Sequence, residues 1–108
     1  MNEQTTHILL VEDEFAHAEL VRRAFEAHRG RSRLTVAGSL AEARACLAEA
    51  RPDLIIADLQ LPDGLGTELL AAEGDDHVVP LVVMTAYGDE QSAVESMKAG
   101  ALDYLVKS

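Results

Sequence analysis

Apolar residues recur along the chain in short, continuous runs. They are rich in Val, Ile and Leu and lie at positions 7–11, 34–37, 54–57, 81–84 and 104–106. None of the runs alternates polar with apolar residues, as a strand with one solvated face would. Continuous runs of this kind are typical of strands that are covered on both faces, as in parallel sheets. The pattern therefore predicts five buried strands.

The segments between the runs have the spacing of helices. In the first segment, Leu20-Val21 and Ala24-Phe25 repeat at the four-residue interval that lays one apolar stripe along a helix. In the second, Ser39 and Glu42 form a capping box that begins a helix, and Pro52 ends the helical pattern. Both segments are predicted to be helices that cover the sheet.

Two further helices are predicted. The third would run from Thr67 to about residue 72 and is short. The fourth would have Asp89 as its N-cap and would end at Gly100. Strands that alternate with helices in this way predict right-handed crossovers and an α/β fold, a doubly wound parallel sheet of five strands.

Composition limits the class of protein. A chain of 108 residues, 48% hydrophobic and 26% charged, suits one globular domain over residues 1–108. A net charge of −10 repels phosphate backbones and anionic lipids, so we expect no direct binding to nucleic acid or membrane. No signal peptide or spanning segment is evident, which favours a cytoplasmic protein. The single cysteine, Cys46, can form neither an internal disulfide nor a thiolate metal site.

Four of the apolar runs end in side chains that can take part in chemistry. Glu12 and Asp13 follow the first run, Asp58 the third, Thr85 the fourth and Lys107 the fifth. In an open parallel sheet these ends meet at one edge, where ligands bind. Taken singly, each carboxylate is explained as well by a turn or a helix cap. Together, close carboxylates repel by about 4 kcal/mol per pair at an effective dielectric near 20, so the cluster requires a counter-charge.

The chemistry that suits such a cluster is phosphoryl transfer. Mg²⁺ prefers oxygen ligands and is typically held by one or two carboxylates together with a phosphate. With the charge neutralised, an aspartate can attack a phosphoryl group and form an acyl phosphate. Phosphoryl transfer depends on positioning and charge stabilisation more than on acid–base catalysis, so a site without histidine is adequate.

These residues stand in motifs that closely resemble the receiver domain of two-component response regulators. The motifs are Glu12-Asp13, Asp58 in DLIIADLQLPDGLG, Thr85-Ala86 in VVMTAYG and Lys107 in KAGALDYLVK. The resemblance covers residues 7 to 107 and implies a flavodoxin-like fold with strand order 2-1-3-4-5. It also implies a histidine kinase or a histidine phosphotransfer domain as phosphoryl donor, and an output domain or partner protein outside this chain. Homodimer formation is left open.

The resemblance further implies a role for each site residue. Asp58 would be the phosphoacceptor, Lys107 its phosphate partner, and Thr85 and Tyr104 the pair that switches conformation. The residues implied to hold Mg²⁺ are Glu12, Asp13, Asp58 and, through its backbone carbonyl, Gln60. The implied protein is a regulatory domain that assists its own phosphorylation and dephosphorylation, and not an enzyme with a separate substrate.

The chain departs from the family pattern at two places. Ser108 stands where Pro and a fifth helix usually follow, so the final helix is absent from this sequence. We expect a trimmed chain more than a genuine four-helix protein, with an apolar sheet face left bare or covered by something else. Gly64 and Gly66 predict a pliable loop beside Asp58.

Two other interpretations remain open. A phosphatase of the haloacid dehalogenase type also uses a strand-end aspartate and Mg²⁺, but it needs a second aspartate where this chain has Gln60. A receiver-like interaction module without phosphoryl turnover is the other. The histidines lie at no metal-ligand spacing, so we expect none to bind metal, and we expect His17 to be a solvated helix residue.

Overall fold

A computed structural model of the chain describes residues 5–27, 32–70, 79–86 and 88–107. The described residues form seven strands, which are numbered in chain order. They are β1 (Thr6–Val11), β2 (Ser32–Ala37), β3 (Leu54–Asp58), β4 (Gln60–Leu61), β5 (Gly64–Leu65), β6 (Leu81–Thr85) and β7 (Asp103–Val106). The helices are α1 (Phe15–Ala27), α2 (Leu40–Glu49), α3 (Glu90–Ala99) and a 3₁₀ turn (Gly66–Leu69). None of the described helices combines the length and apolar character needed to cross a bilayer.

The five predicted strands form one parallel sheet in the order β2-β1-β3-β6-β7. This is the predicted order 2-1-3-4-5, because β4 and β5 pair only with each other in a separate two-stranded hairpin. Val11 pairs with both Ala37 and Ala57, and Asp58 pairs with Met84. The carboxyl ends of the strands therefore lie along one edge of the sheet.

The continuous apolar runs are explained by two cores, one on each face of the sheet. Along β1, Leu9 and Val11 enter one core, together with residues of α2, while Ile8 and Leu10 enter the other, with Ala18 of α1. These four β1 side chains are at most 4% exposed. Burial on both faces makes an alternating pattern impossible here, and the doubly wound architecture is confirmed.

The α1 face is open towards the last strand. Tyr104 of β7 packs against the α2-side core, so its neighbour Leu105 points to the α1 face by the alternation of a strand. Leu105 is 50% exposed, and Leu20 of α1 is 64% exposed. The Leu105 side chain of the last strand is therefore only half covered.

The helix ends agree in part with the predicted caps. The Ser39 side chain accepts a hydrogen bond from the Glu42 N–H, as predicted, but the Glu42 carboxylate accepts from the Gly38 N–H, one residue further back than a capping box requires. Asp89 precedes α3 as predicted, but its side chain makes no capping hydrogen bond. Gly100 ends α3 with a φ of 121°, a conformation that favours glycine.

The third predicted helix is wrong as an α-helix. Its described part is one 3₁₀ turn, in which the Leu70 N–H donates to Thr67 O, three residues back. Leu70 itself is extended, so the chain leaves the helical conformation after this turn. One turn cannot close a ladder of α-helical hydrogen bonds. The end of the prediction, residues 71 and 72, lies outside the described residues.

Candidate functional site

The strand ends bring the predicted polar residues to one edge. Glu12 directly follows β1, and its N–H donates to Ala37 O at the end of β2. Asp58 and Thr85 are the last residues of β3 and β6. Lys107 follows β7, and its N–H donates to Thr85 O at 2.8 Å. Backbone hydrogen bonds thus fix the places from which these side chains project.

Three carboxylates lie close together at this edge. Glu12, Asp13 and Asp58 each offer an oxygen atom, and these atoms lie within 4.8 Å of one another. Glu12 is 2% and Asp58 8% exposed, whereas Asp13 is open to solvent. Because charges this close repel strongly when they are buried, the cluster depends on nearby cations or donors.

Lys107 supplies the counter-charge that the sequence predicted. Its Nζ lies 2.6 Å from Asp58 Oδ2 and 3.1 Å from Glu12 Oε1, so one ammonium group bridges two of the acids. Partial burial lowers the pKa of Lys107, but the hydrogen bonds to Asp58 and Glu12 outweigh it and raise the pKa above its ordinary value. Lys107 is therefore charged throughout the neutral range.

The second oxygen of Asp58 has a backbone partner. Asp58 Oδ1 accepts a hydrogen bond from the Gln60 N–H at 3.2 Å. With Oδ2 on Lys107, both oxygens are held in place. A cavity of about 290 Å³ lies over this carboxylate and is also lined by Thr85 and Lys107. Asp58 is thus an oriented carboxylate that borders an open space next to a fixed cation.

Thr85 and Tyr104 lie on neighbouring strands. Thr85 is 2% exposed and borders the cavity, while Tyr104 is half-buried and pairs with Val83, two residues before Thr85. The structure places Thr85 with the acidic cluster, and it places Tyr104 further back along β7, against the core.

Gly66 contradicts the prediction of a pliable loop. A Cβ at this position would lie 2.4 Å from Asp58 O and 3.2 Å from Ala57 Cβ. The Gly66 N–H donates to Leu59 O at 2.8 Å. The glycine is needed because the loop packs directly against the backbone of Asp58, which makes this position tight.

Asp63 was not predicted to have a role, yet it ties the loop after Asp58 to α2. Its Oδ1 accepts from the Leu40 N–H at 2.8 Å and its Oδ2 from the Ala41 N–H at 3.1 Å. The hydrogen bond from Leu40 is the main cause that lowers the pKa of the Asp63 carboxyl. The helix cap comes from a distant part of the chain, so local sequence carries no signal for it.

The expectation that His17 is a solvated helix residue is wrong. Its Nδ1 lies 2.7 Å from Glu12 Oε1, and its side chain is only 20% exposed. His17 is near the start of α1, and long side chains on a helix lean towards its N-terminus. Its position five residues after Glu12, in the first turn of the helix, is the signal that could have indicated this contact.

Comparisons with known proteins define the class. The family model described as the response regulator receiver domain matches residues 8–108. The chain therefore belongs to the receiver domain family of response regulators, whose members are regulatory signalling modules. Receiver domains function with a histidine kinase and an output domain.

Individual relatives support the same assignment. The methanogenesis regulatory protein FilR1 of Methanothrix harundinacea is 41% identical over 104 residues, which cover 93% of this chain and 23% of that protein. The phosphorylated cyanobacterial phytochrome response regulator RcpA is 30% identical with a TM-score of 0.84, covering 97% of this chain and 82% of that one. The Mn²⁺-bound response regulator Rcp1 is 31% identical with a TM-score of 0.83, covering 95% and 81%.

Proposed function

We propose that Asp58 accepts a phosphoryl group from a phosphorylated histidine of a histidine kinase or a histidine phosphotransfer domain. The observation that carries this proposal is the setting of the Asp58 carboxylate, which borders the cavity, touches Lys107 and lies within the acidic cluster. An isolated structural aspartate requires none of these three neighbours. The phosphorylated state of the relative RcpA supports the proposal.

The same cluster has the ligands for Mg²⁺. Carboxylate and carbonyl oxygens are what a hard divalent cation prefers, and the three acids lie close enough to share one ion. The residues proposed to hold it are Glu12, Asp13, Asp58 and the backbone carbonyl of Gln60. When bound, Mg²⁺ would neutralise the acids and the incoming phosphoryl oxygens. The Mn²⁺-bound relative Rcp1 supports a divalent site.

In the transfer step, a carboxylate oxygen of Asp58 attacks the phosphorus of the phosphohistidine. A new O–P bond forms, the P–N bond breaks, and its electron pair returns to the imidazole nitrogen of the donor. Lys107 would leave Asp58 Oδ2 for a phosphoryl oxygen, and the hydroxyl of Thr85 would donate to another. Through these contacts the chain assists its own phosphorylation. In dephosphorylation, water would attack the phosphorus, the O–P bond to Asp58 would break, and inorganic phosphate would leave the free carboxylate behind.

Movement of Thr85 towards the phosphoryl group would shift the equilibrium of Tyr104 between outward and inward positions. Such a shift changes the surface formed by α3 and β7, which a linked output domain or a partner protein could read. FilR1 is about four times as long as the part matched by this chain, so the output is proposed to lie outside these residues. A cytoplasmic location suits a histidine kinase partner.

The test is phosphorylation by acetyl phosphate with Mg²⁺, followed by intact-mass measurement. We expect one Mg²⁺-dependent phosphoryl adduct on the wild type and none on Asp58→Asn. Asp53→Asn, at the other end of β3, is the matched control and should still be labelled. The absence of an adduct on the wild type would overturn the proposal in favour of an interaction module. Repeated hydrolysis of unrelated phosphate esters would favour a phosphatase.

A further inference from the structure

We propose that His17 is a positioning residue that orients Glu12 for metal binding. This inference rests on the proposed function, because it assumes that Glu12 helps to hold a divalent cation. It assigns a role to a side chain of α1 that lies outside the acidic cluster itself. Its starting point is the 2.7 Å contact between His17 Nδ1 and Glu12 Oε1.

Glu12 needs orientation because it is deeply buried. Its side chain has no exposed surface, so water cannot supply the hydrogen bonds that a carboxylate requires. Oε1 contacts His17 Nδ1 and Lys107 Nζ, and Oε2 accepts from the Glu14 N–H at 3.1 Å. These three donors fix the plane of the carboxylate.

His17 becomes more important when Lys107 moves. Lys107 is shared between Glu12 and Asp58, and the shorter of its two contacts is to Asp58. Among the described residues, Glu12 Oε1 contacts two side chains, Lys107 and His17. Once Lys107 turns to a phosphoryl oxygen, the contact with His17 is the one that remains. The imidazole therefore keeps Glu12 in one orientation before and after phosphorylation.

The geometry assigns His17 to positioning and not to direct ligation. Among the described residues, the side chains close enough to share one ion are Glu12, Asp13 and Asp58, and His17 is outside this group. A carboxylate accepts hydrogen bonds only, so the Nδ1 atom that faces it must carry the proton. That nitrogen then offers no lone pair to a metal, and neither ring nitrogen of His17 belongs to the group of close ligand atoms.

The experiment compares His17→Leu with His17→Asn. Leu fills much of the same volume without a donor, whereas the amide of Asn can donate to Glu12 in place of Nδ1. Binding of Mn²⁺, followed by electron paramagnetic resonance and competed with Mg²⁺, should be about 10-fold weaker in the Leu variant, as for other residues that orient metal ligands. The Asn variant should recover most of this loss. His7→Leu, at the other end of β1, is the matched control and should bind like the wild type.

The outcomes separate this inference from the proposed function. If the wild type binds neither Mn²⁺ nor Mg²⁺, the metal site itself is wrong. If the wild type binds and the Leu variant binds equally well, only the role of His17 is wrong. A second readout is NMR of the ring nitrogens without metal, in which Nδ1 of His17 should carry the proton. A deprotonated Nδ1 would overturn the proposed hydrogen bond even if the Leu variant bound metal poorly.

Discussion

The two ends of β1 and β3 differ in how their polar groups are satisfied. At the amino ends, Asp53 Oδ2 accepts a hydrogen bond from the His7 N–H at 2.8 Å, and His7 Nε2 lies 2.9 Å from Thr35 Oγ1. Asp53 is exposed, so water reaches the rest of its carboxylate. Each group at this end has local partners and needs no further charge.

At the carboxyl ends, two buried acids share one cation. Glu12 and Asp58 are both buried and both contact the single ammonium group of Lys107. Asp13 adds a third carboxylate within 4.8 Å. An aspartate at a strand end therefore indicates a functional site when another charged group must balance its charge, and a structural role when backbone donors and water suffice.

The largest effect is expected from Lys107→Met, which keeps the apolar stem and removes the charge. Loss of one partner from a buried ion pair costs about 3–5 kcal/mol, and because Lys107 is partly exposed we expect the free energy of unfolding to fall by about 2 kcal/mol. Mg²⁺ should restore part of this loss by replacing the charge. Urea unfolding with and without MgCl₂ measures both effects.

The same variant also has an expected pH signature. The folded pKa of Lys107 is raised, so its contribution is fully present below the ordinary value of 10.5 and is lost only as pH rises through the folded pKa. The stability difference between wild type and Lys107→Met should therefore be constant through the neutral range.

Asp53→Asn serves as the control for the Mg²⁺ effect, and Mg²⁺ should not stabilise this variant more than it stabilises the wild type. If Mg²⁺ raised the stability of Asp53→Asn as much as that of Lys107→Met, the two ends of the sheet would not differ in how their charges are balanced.

A loss of similar size is expected from Gly66→Ala, because the new Cβ would meet the backbone of Asp58 at 2.4 Å. Overpacking of this kind costs about 1–3 kcal/mol. The matched control is Gly38→Ala, where the nearest atom is Glu42 Oε1 at an ordinary 3.5 Å. Thermal unfolding of both variants tests whether this edge is rigid. Equal melting temperatures would mean that the loop yields at little cost.

The site residues that could be predicted from the sequence are those that lie at the ends of strands. Glu12, Asp58 and Lys107 each adjoin a buried strand, and parallel geometry alone brings such residues to one edge. The contacts of His17 and Asp63 depend on how α1 is rotated and on how the loop after Asp58 meets α2. The Asp63 contact joins distant parts of the chain, so the local sequence does not determine it. The His17 contact spans only five residues and its spacing is a signal, but the rotation of α1 decides whether the imidazole reaches Glu12.

Asp63 tests whether the role of an aspartate depends on its distance from the site or on its hydrogen-bond partners. It lies in the loop after β3, near the site, but its oxygens accept from the Leu40 and Ala41 N–H groups, as a purely structural carboxylate does. Its pKa is lowered, so its stabilising effect is present above the ordinary value of 3.8 and is lost as pH falls through the folded pKa. Asp63→Ala should be less stable than the wild type at neutral pH, and this difference should vanish in acid. Urea unfolding across this range checks it, and a large loss of Mg²⁺ affinity in the variant would contradict the structural assignment.

The smallest effect is expected from His7, at the amino end of β1. Burial is the main cause that lowers its pKa, Arg33 lowers it further, and Asp53 acts in the opposite direction. As pH falls below the ordinary value of 6.5, the unfolded chain takes up the proton first, so the folded state loses stability between 6.5 and the lower folded pKa. His7→Gln should abolish this slight decline while leaving Mg²⁺ affinity unchanged. Because His7 is only half-buried, the decline should be smaller than the loss in Gly66→Ala, and melting curves at closely spaced pH values would resolve it. A change in metal affinity in His7→Gln would show that the two ends of the sheet are coupled and not independent.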